Sequence, residues 1–514
     1  MENMKRQATR RDFLKVTGAL PAGLAASHLL KKMGLDPLYQ QERRNVIVIV
    51  FDAFSAYNIS IHGYSRETTP NIARIAKRAI VYHNHFAGGN FTTPGTASLL
   101  TGVLPWTHRA FQPKGEVAEP FVTRNLFGAF PDHYSMAYTH NGWAGILLNQ
   151  FADLLDEYIP REKLLLGSDD IIHALFRKDD DTASLSWLRN SNVNEQGYAY
   201  SLLLSHFYQE YQEKKIQNLK PLFPRGLPTA GSLGSDNIFM LEPAVDYLTK
   251  RLMSAPRPFI GYFHFLPPHD PYRTSSEFYD YFRGDGFNPP EKPFDIFATR
   301  VHKDLLRKRT EYDEFILYCD KEFGRLYDQL ESSGLLEDTW LILTSDHGEM
   351  NERGISGHST NALYQPVIRI PLMIFEPGRE VGVDIHENTS AIDLLPTLAY
   401  LTGQKIPDWT EGVLLPPFAS SGARPDRSIY VVRANDNAQY APLTQASTML
   451  VRENYKLLYY FGYPEVSNGG LVKLFDIRAD PEELNDLFSS LKGIAGELLN
   501  ELKTKLAEVN EPYL

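Results

Sequence analysis

One cysteine, Cys319, stands in 514 residues, so no disulfide can close within the chain and the fold must rest on its packed core. A basic excess is missing as well. Lys and Arg number 52 against 63 Asp and Glu, a formal net charge of -11, which disfavours a general nucleic-acid binder needing a cationic surface for phosphates. A small anionic substrate stays open, because one metal ion can reverse the field inside a single pocket. Long apolar runs are scarce: Val16–Leu30 falls short of the roughly 20 residues a membrane span takes. No internal repeat is found, which removes the solenoid architectures. What is abundant is core material, 43% hydrophobic residues, enough by length for roughly two to four domains.

The N-terminus carries Thr9-Arg10-Arg11-Asp12-Phe13-Leu14-Lys15 ahead of a mild, Ala- and Gly-rich apolar stretch. It resembles a twin-arginine export signal over residues 1–30, followed by a polar linker over 31–44. Cleavage is expected near Ala25-Ala26, although Leu24 fits a small-residue site poorly, so an uncleaved, membrane-tethered form is a second expectation. Either way the protein is expected outside the cytoplasm: periplasmic, extracellular or membrane-anchored.

Asn45-Val46-Ile47-Val48-Ile49-Val50-Phe51 is an unbroken apolar run ending at Asp52. Such a run suits a strand buried on both faces of a mostly parallel sheet flanked by helices. Two further runs end similarly. Residues 339–344 lead into Ser345-Asp346-His347-Gly348, and 258–265 lead into Leu266-Pro267-Pro268-His269-Asp270. Three strand ends carrying polar, metal-capable groups describe one edge of an open α/β sheet, where ligands bind. Helices are expected over 72–79, with Thr69 as cap, over 241–254 and over 303–333. Residues 151–238 read as a helical insertion or lid. From about 421 to 514 short strands (428–433, 448–451, 455–461, 472–477) and a closing helix near 481–508 suit a small C-terminal α+β subdomain beside a main domain over 45–420.

Asp346-His347 and Asp52 supply carboxylates and an imidazole suited to a divalent cation. Taken singly, each also reads as a turn or helix cap. Between them, Asn90-Phe91-Thr92-Thr93-Pro94-Gly95-Thr96 places small hydroxyls ahead of a proline turn into a short helix, whose amino end favours an anion.

These blocks, in order, resemble the sulfatase family of the alkaline phosphatase superfamily. The match runs through 45–52, His62-Gly63-Tyr64, Thr68-Thr69-Pro70-Asn71, Ala97 to Gly102, Thr344 to Glu349, Gly357-His358, Pro366 to Leu372, Asp393 to Thr397 and the tail blocks from Tyr455-Lys456-Leu457 to Asp480-Pro481-Glu482-Glu483-Leu484-Asn485. The resemblance implies an alkaline-phosphatase-like α/β fold and one divalent ion (Ca²⁺, Mn²⁺, Mg²⁺ or Zn²⁺) held by Asp52, Asp346, His347 and Thr92. It implies Thr92 at the nucleophile position, with Thr93 as the alternative. His269 and His358 would stand near the ester oxygens and the leaving group, while His264 and His302 read as structural.

The departures from the family are equally plain. Sulfatases place a Cys or Ser two residues before the proline, oxidised to formylglycine, and an Arg two residues after it; here these are Thr92 and Thr96. Threonine is no substrate for that oxidation, so no formylglycine is expected. Many sulfatases also follow the first acid with Asp or Gln, where this chain has Ala53, leaving one ligand unaccounted for. A second metal triad is not found, since Leu317 follows Asp313 where an Asp-x-x-x-His would need His. The reading is a hydrolase of sulfate or phosphate esters, acting on a small anionic ester, a glycan or a lipid headgroup. A phosphoethanolamine- or phosphoglycerol-transferase-like enzyme and a non-catalytic anion- or glycan-binding relative are the alternatives.

Overall fold

The strand Asn45–Phe51 (β1) is apolar throughout because its two faces enter different cores. Ile47, Ile49 and Phe51 pack into one, and Val46, Val48 and Val50 into the other. Six such burials contribute on the order of 10 kcal/mol before the entropy of ordering the chain is subtracted. The computed structural model describes residues 44–165, 211, 213–229, 238–298, 304–419, 427–467 and 469–514.

The other strands are Ile80–Phe86 (β2), Tyr134–Thr139 (β3), Glu157–Tyr158 (β4), Phe259–Phe265 (β5), Thr339–Thr344 (β6), the short hairpin Asn351–Glu352 and Ile355–Ser356 (β7, β8), Leu372–Phe375 (β9) and Val383–Ser390 (β10). All but the hairpin form one sheet, in the order β10-β2-β9-β6-β1-β5-β3-β4. Pairing is parallel except where β9 meets β2 and β6. In this mixed, mostly parallel sheet β1 lies between β5 and β6, with Val50 level with both His264 and Thr344. The carboxyl ends of three buried strands thus lie side by side, as their sequence patterns predict.

Helices cover both faces. Leu241–Met253 and Leu305–Ser332 pack on the Ile47 side. Thr92–Thr101, Gly142–Gln150 and Leu394–Leu401 pack on the Val46 side. In chain order, starting with Pro70–Ile75, these six are α1 (Pro70–Ile75), α2 (Thr92–Thr101), α3 (Gly142–Gln150), α4 (Leu241–Met253), α5 (Leu305–Ser332) and α6 (Leu394–Leu401). The C-terminal β subdomain is an antiparallel sheet of Ile429–Arg433, Ala446–Arg452, Tyr455–Phe461 and Leu471–Asp476 (β11–β14). Helix Lys492–Asn510 (α7) packs on it through Ala495, Leu498, Leu502 and Leu506, the one-face spacing of an amphipathic helix.

Several expectations shift. The helix expected over 72–79 is α1 followed by one 3₁₀ turn, and Thr69 makes no side-chain cap. Its hydroxyl meets Ser60 Oγ at 2.7 Å, while Asp320 of α5 accepts from the amides of Asn71 and Ile72 at 2.9 and 2.7 Å. The closing helix starts at Lys492 rather than 481: Glu483 sits at φ 53°, a left-handed conformation no helix accommodates, and residues 484–491 are irregular or turn. Of the expected insertion 151–238, residues 151–165 include β4, which extends the sheet edge, and 213–219 are helical. Residues 166–210, 212 and 230–237 of that insertion, the export signal and linker up to residue 43, and His302 lie outside the described residues. Among the described residues no helix is long and apolar enough to cross a membrane.

Candidate active site

Asp52 follows β1 directly, and its amide donates to Phe265 O at 2.9 Å, which locks the ends of β1 and β5 together. Asp346 and His347 follow β6 after Ser345. Asp52, Asp346 and His347 are each 0% exposed, and one ligand atom from each lies within 4.8 Å of the others. His347 Nδ1 donates to Gly348 O at 2.9 Å, which leaves Nε2 facing Asp52 Oδ1 at 3.3 Å and Asp346 Oδ2 at 3.6 Å. Asp346 Oδ1 accepts from the amides of Ala53 and His347 at 3.3 and 3.0 Å. Asp52 Oδ1, by contrast, is buried without a hydrogen-bond donor. A carboxylate oxygen left bare beside a second buried carboxylate and an imidazole is costly in a protein interior and is a donor set a divalent cation satisfies.

Thr92 opens α2, whose ten residues are all buried. The helix is set directly against the end of β6: a Cβ on Gly95 would lie 2.2 Å from the Asp346 carbonyl oxygen. A Cβ on Gly348 would come equally close to Pro366 O, at 2.1 Å. Backbone therefore meets backbone on two sides of the carboxylates. Thr92 Oγ1 lies 3.5 Å from His347 Nε2, and Thr96 Oγ1 donates to Asp346 Oδ2 at 3.4 Å. Thr93 Oγ1 is buried with no partner and makes none of these contacts. The structure therefore brings Asp52, Thr92, Asp346 and His347 together, as the sequence order suggests.

Two residues at the centre have no counterpart among the sequence candidates. Asn141 caps α3 through Oδ1, accepting from the amides of Trp143 and Ala144 at 2.7 and 3.4 Å. Its Nδ2 is thereby turned to donate to Asp52 Oδ2 and, at 3.2 Å, to Thr92 Oγ1. Its only sequence signal is that of an ordinary N-cap after a strand. His264, read as structural, is 0% exposed and directs Nε2 at Asp52 Oδ2 and Asp346 Oδ2, 3.4 and 3.7 Å away. It is the last but one residue of β5, inside a run whose pattern signals only burial.

His269 and His358 gather at the same place. The His358 ring is centred 4.3 Å from that of His347 and 4.7 Å from that of His269. His269 Nδ1 donates to Asp270 O at 2.7 Å, and His358 Nδ1 pairs with Glu349 Oε2 at 3.1 Å. Asn90 ties this loop to α2 by donating to the carbonyls of His358 and Thr360.

The charges sort these groups. Burial pushes the Asp52 carboxyl up, but His269, His264 and His347 hold it well below the usual carboxylate range. Burial raises Asp346, and the Asp52 charge adds to that. His347, which burial alone would lower, is carried up to about 9 by Asp346 and Asp52. Burial and the neighbouring His347 and His269 press His358 well below the ordinary imidazole value. His269 rises, because Asp52, Asp270 and Glu349 outweigh its burial. Burial lifts Glu349 to about 7 against the pull of His269 and His347.

Comparison with known proteins identifies the family and the fold. The sequence model of the Sulfatase family matches residues 44–404, and that of the C-terminal part of N-sulphoglucosamine sulphohydrolase matches 358–512. A choline-sulfatase of Rhizobium meliloti is 25% identical over 476 residues, covering 87% of this chain and 83% of its own. An ulvan-active sulfatase of Formosa agariphila is 24% identical, covering 97% of this chain and 89% of its own. In structure, the chain is similar to the phosphonate monoester hydrolase of Agrobacterium radiobacter, with a TM-score of 0.64 at 18% identity, over 91% of this chain and 96% of that one.

Proposed function

Because this chain belongs to the sulfatase family, whose members bind a divalent metal and hydrolyse sulfuric esters, we propose that it is a metal-dependent hydrolase of sulfate or phosphate esters in which Thr92 is the nucleophile. One observation carries the reading: Thr92 Oγ1 stands 3.5 Å from His347 Nε2 and accepts from Asn141 Nδ2 at 3.2 Å, inside the only buried Asp/Asp/His group among the described residues.

Asp52, Asp346 and His347 would hold the cation with Thr92. When bound, it would acidify the Thr92 hydroxyl and screen the charge of the ester. The chain's own groups do the rest. The start of α2 presents Thr92 and free amide hydrogens toward an anionic ester. Asn141 Nδ2 orients the Thr92 oxygen for in-line attack. The Thr92 oxygen, its proton passed to solvent, bonds to sulfur or phosphorus, and the bond to the leaving oxygen breaks. His269, held protonated by Asp52, Asp270 and Glu349, is placed to donate to the leaving oxygen. His358, kept neutral and oriented by Glu349, is placed to take a proton from the water that cleaves the threonyl ester. No formylglycine enters this scheme, because position 92 is threonine.

Without a formylglycine hydrate, release requires a second attack at the central atom, which favours phosphorus over sulfur. The structural likeness to a phosphonate monoester hydrolase supports that preference. The substrate is proposed to be a small anionic ester or an ester on a glycan, after the sulfated substrates in the relatives' names. The test is a panel of aryl sulfate, phosphate monoester, phosphate diester and phosphonate monoester, each with Ca²⁺, Mg²⁺, Mn²⁺ and Zn²⁺. Turnover of phosphorus esters that disappears in Thr92→Ala is expected. Turnover of sulfate alone, or full turnover by Thr92→Ala, would sink it.

A further inference from the structure

Two of the sequence blocks bring their side chains together away from the catalytic centre. His62-Gly63-Tyr64 and Arg369, from the block Pro366 to Leu372, wall a cavity of about 800 Å³. That lies within the roughly 300–1,000 Å³ of small-molecule sites. None of Asp52, Thr92, Asp346, His347, His269 or His358 lines it. Its walls are rich in rings: Tyr57, Tyr64, Phe282 and Phe287, with Pro289 and Pro290.

Arg369 is the group there that lacks a counter-charge. Its amide donates to Gln365 O at 2.9 Å and its carbonyl accepts from Ala56 N at 3.0 Å, so the main chain holds it on both sides. In the side chain only Nε–H is engaged, donating to His83 O at 2.9 Å. Nη1 and Nη2 make no hydrogen bond or ion pair among the described residues, and neither is sealed from solvent. The groups that feel this guanidinium are the Tyr57 phenol and the His62 imidazole. Burial keeps the phenol protonated, and burial together with the Arg369 charge holds the imidazole well below its ordinary value, so both are neutral. Burial carries Arg369 itself down to about 10, which still leaves it charged at neutral pH.

The acids of the cavity are committed elsewhere. Asp285 accepts from Arg66 Nε at 2.7 Å, Glu482 pairs with Lys292 at 2.6 Å, and Glu67 lies exposed. Arg309, the other cation on this wall, has Glu352 at 3.7 Å and gives Nε–H to Tyr64 Oη. A charge withdrawn from water without a partner is costly, and the fork of Nη1 and Nη2 matches the paired oxygens of an oxyanion.

We propose that this cavity is a second anion site, separate from the catalytic centre, in which Arg369 pairs through Nη1 and Nη2 with the carboxylate, sulfate or phosphate group of a small ring-bearing molecule whose ring lies among Tyr57, Tyr64 and Phe287. The guanidinium selects the charge, and the ring-lined walls favour a substituted ring over a bare ion. The site requires neither the metal nor Thr92, so it stands or falls independently of the hydrolase reading.

The probe is 4-bromobenzenesulfonate, a ring-bearing oxyanion with no ester bond to cleave. It is titrated calorimetrically into the full-length protein at low ionic strength, with 4-bromobenzenesulfonamide as the neutral comparator and sodium sulfate as the bare anion. The parent should bind the sulfonate at least about tenfold more tightly than either comparator. Arg369→Gln should weaken it by about tenfold or more, and Arg369→Lys by less, because lysine keeps the charge without the fork. Far-UV circular dichroism checks that both variants fold. Crystals of the parent soaked in the sulfonate should show the anomalous bromine peak beside Tyr64 and Phe287, a readout that needs no variant. Equal affinity for either comparator, unchanged affinity in folded Arg369→Gln, or a bromine peak confined to the catalytic centre overturns the proposal.

Discussion

Replacing Asp346 with Asn should reverse the order of stability of two proteins depending on whether a cation is present. In the parent, two carboxylates share a closed space at 0% exposure, and Asp346 is raised by its burial and by the Asp52 charge. Stripped of metal, the parent carries that repulsion, so Asp346→Asn should melt no lower than the parent. Adding a cation that binds only the folded state stabilises it by about 4 kcal/mol at a free concentration 1,000 times Kd. The unit spans Arg44–Leu514, and a unit of that size unfolds with an entropy of roughly 1 kcal/mol per kelvin. The parent should therefore gain about 4 °C in Tm. Asp346→Asn, lacking one anionic ligand, should gain little and fall below the parent. Differential scanning calorimetry of both proteins, first in EDTA and then with each of Ca²⁺, Mg²⁺, Mn²⁺ and Zn²⁺ in excess, reads this directly. Equal shifts in the two proteins, or no shift in the parent with any of the four cations, would refute the assignment of Asp346 to a cation site.

Further expectations concern the chemistry and one distant carboxylate. Thr92→Ala should lower kcat on the best substrate of the panel by about 10³-fold or more, with Thr92→Ser retaining measurable turnover, as followed by product release. Asn141→Ala should cost about 1 kcal/mol of stability through the lost α3 cap and also lower kcat, whereas Asn141→Asp should keep the cap and still lose rate. Comparing Tm and kcat for the two variants separates the roles of Oδ1 and Nδ2. Asp320, which caps α1 and is raised by burial to about 6, has a folded value above its unfolded one. Its stabilising contribution is therefore full below about pH 4 and lost as pH rises through 6, an effect of up to ~3 kcal/mol. Denaturant unfolding across that window should show the difference between parent and Asp320→Asn shrinking as pH rises.

Much of the fold was legible because its signals are local. The runs at 45–51, 258–265 and 339–344 announce strands buried on two faces, and each polar terminator marks the end where ligands gather. Asp52, Thr92, Asp346 and His347 could be picked out because the order of blocks around them resembles a family. What the chain hides is long-range. The cap of α1 comes from Asp320, far along the sequence, so the local rule pointed to Thr69 instead. Asn141 has the appearance of any residue opening a helix, and only the position of β3 two strands from β1 turns its amide toward Asp52. His264 sits in a run of aromatic and apolar residues, where periodicity reports that a side chain is buried but not what it faces. The left-handed Glu483, whose carboxylate accepts from Gln365 N and Lys456 Nζ, is likewise invisible to a helical pattern.

The two glycines that press main chain against main chain carry a lesson for variation. Where Gly95 abuts the Asp346 carbonyl and Gly348 abuts Pro366, no side chain is interposed that could be exchanged to adjust the spacing. The hydroxyl-bearing helix and the acid-bearing strand are joined like stones laid without mortar. Changes of specificity must then be sought in the loops around the rim, since a single methyl group added at Gly95 would wedge the start of the Thr92 helix away from Asp346.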